Sequence, residues 1–237
     1  MRFSTWHALG NRYVIVPRAE AGELDPERAR ELSTGADGVV EVIDSNDGDI
    51  DVVIWNPDGS TAEMSGNGTR IAAAWLARQS GAREIRVHVG PREVRARVHA
   101  DGRIEQELGP VAVGARETVA GIELVPVSVG NPHAVVVGDP AHVERLGPQL
   151  ETHDRFPERT NVEVVRVDGP GEVTARIWER GVGETSASGT GAVAAAAGTH
   201  DGGEVVVHFP GGDLLVRLVE GCAYLTGPAE QVEPEDV

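Results

Sequence analysis

The sequence predicts an α+β fold of two pseudo-symmetric halves, each with a mostly antiparallel sheet around one central alanine-rich helix. Three observations predict this fold: an internal repeat, two helical segments with small apolar residues on nearly every face, and short β-branched runs joined by tight turns. The 237 residues are enough to bury a substantial core in one large or two small domains.

The repeat is the strongest of these observations. "VVIWNPDGSTAEMSGNG" aligns with "ARIWERGVGETSASGTG", so that Trp55 and Ser65 recur 123 residues later as Trp178 and Ser188. Upstream, "LGNRYVIV" resembles "VGNPHAVVV" at an offset of 120 residues. Three matches in one order indicate a duplication. We therefore predict an N-terminal half over residues 1–112, joined by the C-terminal segment 223–237, and a C-terminal half over residues 113–222.

The first half begins with three β-branched runs that predict strands: "YVIV", "GVVEVI" and "DIDVVIW". A surface helix is predicted for "DPERARELS", from Asp25 onward, and the central helix over residues 66–77. The strands "EIRVHV", "EVRARVHA" and "RIEQEL" follow, and the turns "PREV" and "ADGR" between them predict hairpins.

The second half repeats this order. Its strands are "AVVVG", "NVEVVRV" and "EVTARIW", with a helix predicted for "AHVERLGPQLETH". The central helix is predicted over residues 189–198, and "EVVVHF", "LLVRLV" and "AYLTG" then form strands, the first two joined at "FPGGD". Because both central helices carry alanine on nearly all faces, we expect them to be buried rather than amphipathic.

Composition narrows the function classes. The net charge of −17 is spread along the chain, which argues against nucleic-acid binding. No apolar run approaches the roughly 20 residues that a membrane-spanning helix needs. The N-terminus lacks the basic start and apolar core of a signal peptide, so a cytoplasmic protein is expected.

All 21 basic residues are arginine, so a pyridoxal-phosphate Schiff base on lysine and a P-loop lysine are both excluded. Cys222 is the single cysteine, which excludes an intrachain disulfide and a thiol-pair metal site.

The two repeated turns place a serine before Gly-x-Gly and a helix. Because the first N–H groups of a helix lack internal partners and carry partial positive charge, each turn is typical of an anion-binding helix start, and the glycines would let a ligand approach the backbone. Taken singly, each serine is explained as a helix N-cap. Two copies related by duplication favour a shared ligand site at the interface of the halves.

Polar residues surround these turns at matching repeat positions. Asn56 and Glu179 each precede their serine by nine residues, and Arg180 is suited to a bidentate contact with a carboxylate. The other candidates are Asn11, Asn131, His133 and Asn161. Together they predict a small zwitterionic ligand, with its carboxylates on the helix starts and arginine and its ammonium groups near Glu179, asparagines and carbonyls.

At these residues the chain resembles the diaminopimelate epimerase family over nearly its whole length. The matching blocks are "WHALGNRYVIV", "TGADGVVEV", "NPDGSTAEMSGNGTR", "VGNPHAVVV", "FPERTNVEVV", "ERGVGETSASGTGAVAAAA" and "YLTGPAEQV". The resemblance implies two barrel-like halves with the active site in the cleft between them. It also implies cofactor-free and metal-free interconversion of LL- and meso-diaminopimelate, a substrate with two carboxylates, in lysine and peptidoglycan precursor biosynthesis. Family members are often dimers, which implies a homodimer.

In that family two cysteines face each other across the substrate α-carbon, and by motif they fall on Ser65 and Ser188. His133 and Glu179 match the groups that activate the thiols. The resemblance implies that substrate is bound by Asn11, Asn56, Gly66, Asn67, Asn131, Asn161, Glu179, Arg180, Gly189 and Thr190. Gly38 stands where some members have glutamine.

The serines are a chemical departure, because a serine hydroxyl is a far weaker acid than a thiol and needs an adjacent base. Three functions are compatible with the sequence. The first is an epimerase in which Ser65 and Ser188 are assisted by His133 and Glu179 or by water. The second is an isomerase of the same fold with Glu179 or His133 as its single base. The third is a non-catalytic amino-acid binder; an engineered Cys-to-Ser variant of an epimerase would have the same sequence.

Overall fold

A computed structural model describes residues 3–62 and 65–232. The chain divides into two compact units. The first contains the described residues of Met1–Gln106 and Gly227–Val237, and the second contains Glu107–Thr226. Both are mixed α+β structures dominated by strands, as the sequence predicts.

The first unit contains the first eight strands of the chain, three helices and a short strand from the C-terminal end of the chain. In chain order these are β1 (Ser4–Ala8), β2 (Asn11–Pro17), α1 (Arg18–Ala21), α2 (Pro26–Leu32), β3 (Gly38–Ser45), β4 (Asp49–Trp55), β5 (Thr61–Ala62), α3 (Gly66–Ser80), β6 (Glu84–Val89), β7 (Arg92–Val98) and β8 (Ile104–Pro110), with β19 (Glu230–Gln231) at the end of the chain.

The second unit follows the same order of strands around one long helix. Its elements are β9 (Ala112–Val113), β10 (Glu117–Val119), β11 (Ile122–Ser128), β12 (Pro132–Val137), a 3₁₀ helix (Pro140–His142), α4 (Val143–Glu151), β13 (Asn161–Gly169), β14 (Glu172–Glu179), β15 (Gly183–Thr185), α5 (Gly189–Thr199), β16 (Gly203–Phe209), β17 (Gly212–Val219) and β18 (Cys222–Gly227).

Strand pairing repeats between the units. Strands β2 and β3 are parallel with Tyr13 opposite Gly38, and β12 and β13 are parallel with His133 opposite Asn161. The next pairs, β3–β4 and β13–β14, are antiparallel, and β4–β6 and β14–β16 are again parallel. Hairpins join β6 to β7, β7 to β8 and β16 to β17, as predicted. The sheets are thus mostly antiparallel, with parallel pairs at the same two places in each unit.

The central helices are the cores of their units. In α5 every residue from Ala192 to Ala197 is buried, and in α3 burial extends from Gly68 to Ala74. Helix α3 continues three residues past the predicted Ala77, because Arg78, Gln79 and Ser80 are compatible with a helix and only Gly81 (φ 76°) adopts the left-handed conformation that ends it.

The repeated tryptophans pack on the sheet side away from these helices. The indole N–H of Trp55 donates to Glu41 at 3.0 Å, and that of Trp178 donates to Glu151 at 2.7 Å. These hydrogen bonds satisfy the polar atom of the buried Trp55 ring and of the partly buried Trp178 ring, which accounts structurally for the tryptophan pair.

Several short elements have no counterpart in the sequence prediction, among them β1, α1, β5 and β9 to β11. Most of them have five residues or fewer, so periodicity carries little signal, whereas β11 has seven residues and pairs with β9, β10 and β12. Within the described residues, no helix is long and apolar enough to cross a membrane.

Candidate active site

Ser65 and Ser188 occupy the same backbone position in their units. Both are extended (φ −139°, ψ 119° and 133°), and both begin a helix at the following glycine. The Ser65 hydroxyl accepts from the Gly68 N–H at 3.0 Å, and the Ser188 hydroxyl accepts from the Gly191 N–H at 3.3 Å. Each serine is therefore a true N-cap, and each keeps its hydroxyl proton for another partner.

The glycines of each turn differ in role. A Cβ at Gly68 would lie 3.0 Å from the Ile54 side chain, and one at Gly191 only 2.5 Å from Ile177. The second glycine thus lets the helix pack on the sheet. A Cβ at Gly66, by contrast, would meet no atom within 4 Å in the described structure. The ligand-approach role predicted for the turn glycines fits Gly66, whereas a Cβ at Gly189 would lie 3.0 Å from the Leu225 side chain, and the second glycine of each turn is required by packing.

Four backbone N–H groups remain at the two helix starts. Among the residues that the structure describes, no acceptor meets the N–H groups of Gly66, Asn67, Gly189 and Thr190. Such unsatisfied groups at a helix N-terminus attract anions.

A carboxylate accompanies Ser188. Glu179 lies at the end of β14, where the Thr185 hydroxyl donates to its Oε1 at 2.5 Å and the Ser188 hydroxyl also interacts with it. Burial raises the pKa of Glu179, and the nearby Glu163 charge raises it further, while hydrogen bonds from Thr185 and Ser188 and the charge of His133 oppose the shift. A carboxylate with a raised pKa next to a hydroxyl is suited to general-base chemistry.

The ring of His133 contacts Glu163 and Asn131. Its Nδ1 is 2.6 Å from Glu163 Oε1, and both side chains are fully buried. Its Nε2 is 3.0 Å from the side-chain oxygen of Asn131, which can only accept, so Nε2 carries a proton. Of the two predicted activating groups, the structure therefore places Glu179 at Ser188 and gives His133 two other partners.

Glu163 has one free oxygen. Burial raises the pKa of its carboxyl against the opposing charge of His133, and Oε2 finds no hydrogen-bond partner within the described residues. Its Oε1 lies 3.3 Å from the place a Cβ would take at Gly191, just inside the helix start.

The other predicted residues of this unit cluster nearby. The Asn131 side chain donates to the Thr190 hydroxyl at 3.5 Å. Asn161 donates to the Pro132 carbonyl at 3.0 Å and accepts from the Arg180 N–H at 2.9 Å, so its side chain ties β13 to the start of β12 and to the turn after β14. The exposed Arg180 guanidinium donates to the Glu158 carbonyl through one of its nitrogens.

The surroundings of Ser65 are different. Its hydroxyl lies 3.0 Å from the hydroxyl of Tyr13, a residue that is 8% exposed. The Asn67 side chain accepts from Arg70, a fully buried residue of α3. Asn56 follows β4 and donates to the Ser60 hydroxyl at 2.9 Å, and Asn11 begins β2.

Sequence reasoning missed Tyr13, Arg70 and Glu163. Tyr13 follows Asn11 by two residues, as His133 follows Asn131, so extending the repeat alignment through the strand would have found it. Glu163 is a charged residue within the apolar run "NVEVV", which is the usual signal of a buried functional or paired carboxylate. In the part of the chain that the structure describes, no group of three or more His, Cys, Asp or Glu side chains is arranged to hold a metal ion.

Solved structures share this architecture over almost the full chain. A predicted epimerase from Pseudomonas aeruginosa matches with a TM-score of 0.72 at 18% identity, covering 98% of this chain and 97% of that one. A phenazine biosynthesis protein from Bacillus anthracis matches with a TM-score of 0.71 at 16% identity, covering 98% of both chains. A probable proline racemase from Agrobacterium radiobacter matches with a TM-score of 0.63 at 14% identity, covering 98% and 92%. These likenesses establish the fold.

The comparisons at the level of sequence define the class of protein, an isomerase that acts as an epimerase. The model of the family "Diaminopimelate epimerase" matches residues 3–113 and 125–232. Diaminopimelate epimerases of Desulforudis audaxviator and Methanothermobacter thermautotrophicus are 39% and 37% identical, covering 98% and 97% of this chain and 97% and 96% of their own. The chain belongs to the diaminopimelate epimerase family.

Proposed function

We propose that this protein epimerises the α-carbon of diaminopimelate, interconverting the LL and meso forms without a cofactor. The observation that supports this proposal most directly is the helix start capped by Ser188, with the Glu179 carboxylate, whose pKa is raised by burial, beside it. In addition, relatives named diaminopimelate epimerase align over nearly the whole chain. The proposed place of the reaction is lysine and peptidoglycan precursor biosynthesis.

The substrate α-carboxylate is proposed to bind at the helix starts. The N–H groups of Gly66, Asn67, Gly189 and Thr190 offer donors and the positive ends of two helix dipoles. Removal of the α-proton delocalises charge into this carboxylate, so the same donors stabilise the carbanion as it forms.

Ser188 and Glu179 are proposed to form the proton-transfer pair on one face. The α-proton passes to Ser188 Oγ while the serine's own proton passes to the Glu179 carboxylate, and the electron pair of the broken C–H bond stays on carbon. The raised pKa of Glu179 supports this role, because it brings the base closer to the working pH and makes the acid form available for the reverse step.

Ser65 is proposed to act on the opposite face, following the family's pair of thiols. The remaining predicted residues are proposed to recognise the two amino-acid ends of the substrate: Asn11, Asn56, Asn131, Asn161 and Arg180. His133 is proposed to contribute through Asn131, which it holds by the Nε2–H hydrogen bond. The family resemblance further suggests a cytoplasmic homodimer, which light scattering on the purified protein would test.

The test is α-hydrogen exchange in D₂O. Incubated with LL-diaminopimelate, the protein is expected to give meso product carrying deuterium at the inverted centre, as read by chiral chromatography and mass spectrometry. The matched control is Ser188→Ala, which removes the hydroxyl beside Glu179 and is expected to lower the rate of inversion at least 100-fold. Binding of diaminopimelate in calorimetry with no exchange at high protein concentration would contradict the proposal and indicate a binder.

A second candidate is a one-base isomerase of the same fold. It is favoured by one observation: among the described contacts, a carboxylate interacts with the capping serine in only one of the two units. This candidate predicts deuterium incorporation with retention of configuration, or no turnover of diaminopimelate and turnover of another carboxylated substrate.

A further inference from the structure

The duplication places an ionisable side chain at one strand position in both units. Two residues after the paired asparagines stand Tyr13 in β2 and His133 in β12, each facing the first residue of its parallel neighbour strand. His133 belongs to the charged cluster near Ser188. Its counterpart Tyr13 touches the capping serine itself, with 3.0 Å between the two hydroxyl oxygens.

The backbone around Tyr13 is shaped to admit its ring. A Cβ at Gly38 would lie 2.8 Å from Tyr13 Cε1 and 2.6 Å from the Trp55 carbonyl oxygen. Only glycine therefore allows the ring to reach Ser65. The counterpart of Gly38 in the second unit is Asn161, whose side chain donates to the Pro132 carbonyl.

The Ser65 hydroxyl is poised to pass a proton. One of its lone pairs is engaged by the Gly68 N–H, which fixes the oxygen at the helix start. Its remaining lone pair can accept a hydrogen bond from the Tyr13 hydroxyl, or its own proton can be donated to Tyr13. A proton can therefore pass in either direction, because both hydroxyls can donate and accept.

A buried cation, Arg70, interacts electrostatically with Tyr13. Arg70 is 0% exposed; its guanidinium donates to the Asn67 side chain and the Pro228 carbonyl, which are both neutral, and Nη1 finds no partner within the described residues. Burial lowers the pKa of Arg70 to about 10, and interaction with Tyr13 opposes that shift. A cation that no described carboxylate neutralises favours the anionic form of a nearby phenol.

We propose that Tyr13 is the proton-relay partner of Ser65. It would have the function for Ser65 that Glu179 has for Ser188. This inference rests on the proposed epimerase function. In one direction the substrate α-proton passes to Ser65 Oγ as the serine proton passes to the Tyr13 phenolate, and the C–H electron pair stays on carbon. In the other direction the phenol returns its proton to Ser65 as Ser65 protonates the carbanion. Arg70 stabilises the phenolate between the two events.

The test compares α-deuterium exchange from each stereoisomer separately. Tyr13→Phe keeps the ring and removes only the hydroxyl, so the fold is expected to persist with an unchanged thermal midpoint. It is expected to lower exchange from one stereoisomer at least 100-fold. The other stereoisomer, whose α-proton faces Ser188, continues to exchange within a few-fold of the wild-type rate but with retention of configuration.

Two further variants sharpen the test. Tyr224→Phe alters the only other tyrosine, which lies in β18 and stacks with Arg217, and is expected to leave both exchange rates unchanged. Gly38→Ala displaces the Tyr13 ring and is expected to reproduce the one-sided loss.

Equal loss from both stereoisomers would overturn the relay in favour of a structural role, and wild-type rates in Tyr13→Phe would overturn it outright. If the wild-type protein exchanges neither stereoisomer, the proposed function fails and the relay falls with it. If the wild type exchanges both and Tyr13→Phe does the same, only the relay fails.

Discussion

The two helix starts share a backbone and differ in charge. Ser65 and Ser188 have nearly the same dihedral angles and the same capping hydrogen bond. Around Ser188 lie Glu179 and the buried His133–Glu163 pair, whereas Ser65 meets a phenol next to a buried arginine. Duplication has therefore kept the scaffold that presents a hydroxyl and has changed the group that exchanges its proton.

The differences occur at equivalent positions of the strands. Glu163 pairs with Ile177 across β13 and β14, as Val40 pairs with Ile54 across β3 and β4. A carboxylate in one unit thus replaces a core valine in the other. Likewise, Glu179 in the second unit corresponds to Asn56 in the first.

The largest expected effect comes from replacing Glu179 by its counterpart. Glu179→Asn is expected to lower kcat for inversion by about 10²–10⁴-fold, because it removes the group that exchanges a proton with Ser188, and to change KM far less. The measurement is steady-state kinetics in both directions. The matched control, Glu172→Asn, makes the same change at the exposed start of β14. A wild-type kcat in Glu179→Asn would contradict the proposed pair.

An intermediate effect is expected when Glu163 is replaced by valine, the residue at the equivalent position (Val40) of the first unit. Glu163→Val leaves the His133 ring buried without its carboxylate, so the free energy of unfolding should fall by about 3–5 kcal/mol. The measurement is urea unfolding.

The double variant Glu163→Val with His133→Leu tests the reason for that loss. It removes both partners and should recover at least half of the loss. Leucine is chosen over tyrosine because His133 lies opposite Asn161, whereas Tyr13 lies opposite Gly38, which has no side chain. A double variant less stable than the single variant would refute this explanation.

The smallest expected effect is a dependence of the free energy of unfolding on pH. The pKa of Glu179 is raised in the folded protein by burial and by Glu163, so the folded state holds this proton more tightly than the unfolded state does. Stability is then lost as pH rises from the unfolded pKa through the folded one. Glu179→Gln removes this titration, so its stability relative to wild type should increase over that interval and level off above it.

Asp49 is expected to change stability with pH in the opposite direction from Glu179. Hydrogen bonds from Arg86 and His88 lower the pKa of this half-buried carboxyl, so Asp49→Asn should lose stability relative to wild type as pH rises from the lowered folded pKa to the unfolded one, an interval that lies below the one for Glu179. Slopes of equal sign in the two variants would contradict the assigned environments.

Much of this fold can be predicted from the sequence because its signals are local and repeated. The central helices are recognisable by alanine on every face, and the hairpins by their turn residues. The serine-capped turns follow from the repeat alone. Short edge strands such as β5 and β9 carry too few residues for any periodicity to identify them.

The partners of the serines could be predicted only in part. Glu179 is recognisable from its distance to Ser188 in the sequence, and its raised pKa comes from burial that only the folded chain supplies. Tyr13 has the pattern of an ordinary strand aromatic, and its contact with Ser65 depends on the absence of a side chain at Gly38. For His133, predicted as an activating group, the folded chain adds the contacts of its two ring nitrogens with Glu163 and Asn131, which the sequence does not reveal.

The central claim is that each serine has its own proton partner, Tyr13 for Ser65 and Glu179 for Ser188. The most direct test is to measure α-deuterium exchange from LL- and meso-diaminopimelate with Tyr13→Phe and Glu179→Asn side by side. We expect each variant to retain exchange from one stereoisomer only, and the retained stereoisomer to differ between the two variants. Retention of the same stereoisomer by both variants, or equal loss from both stereoisomers, would contradict the claim.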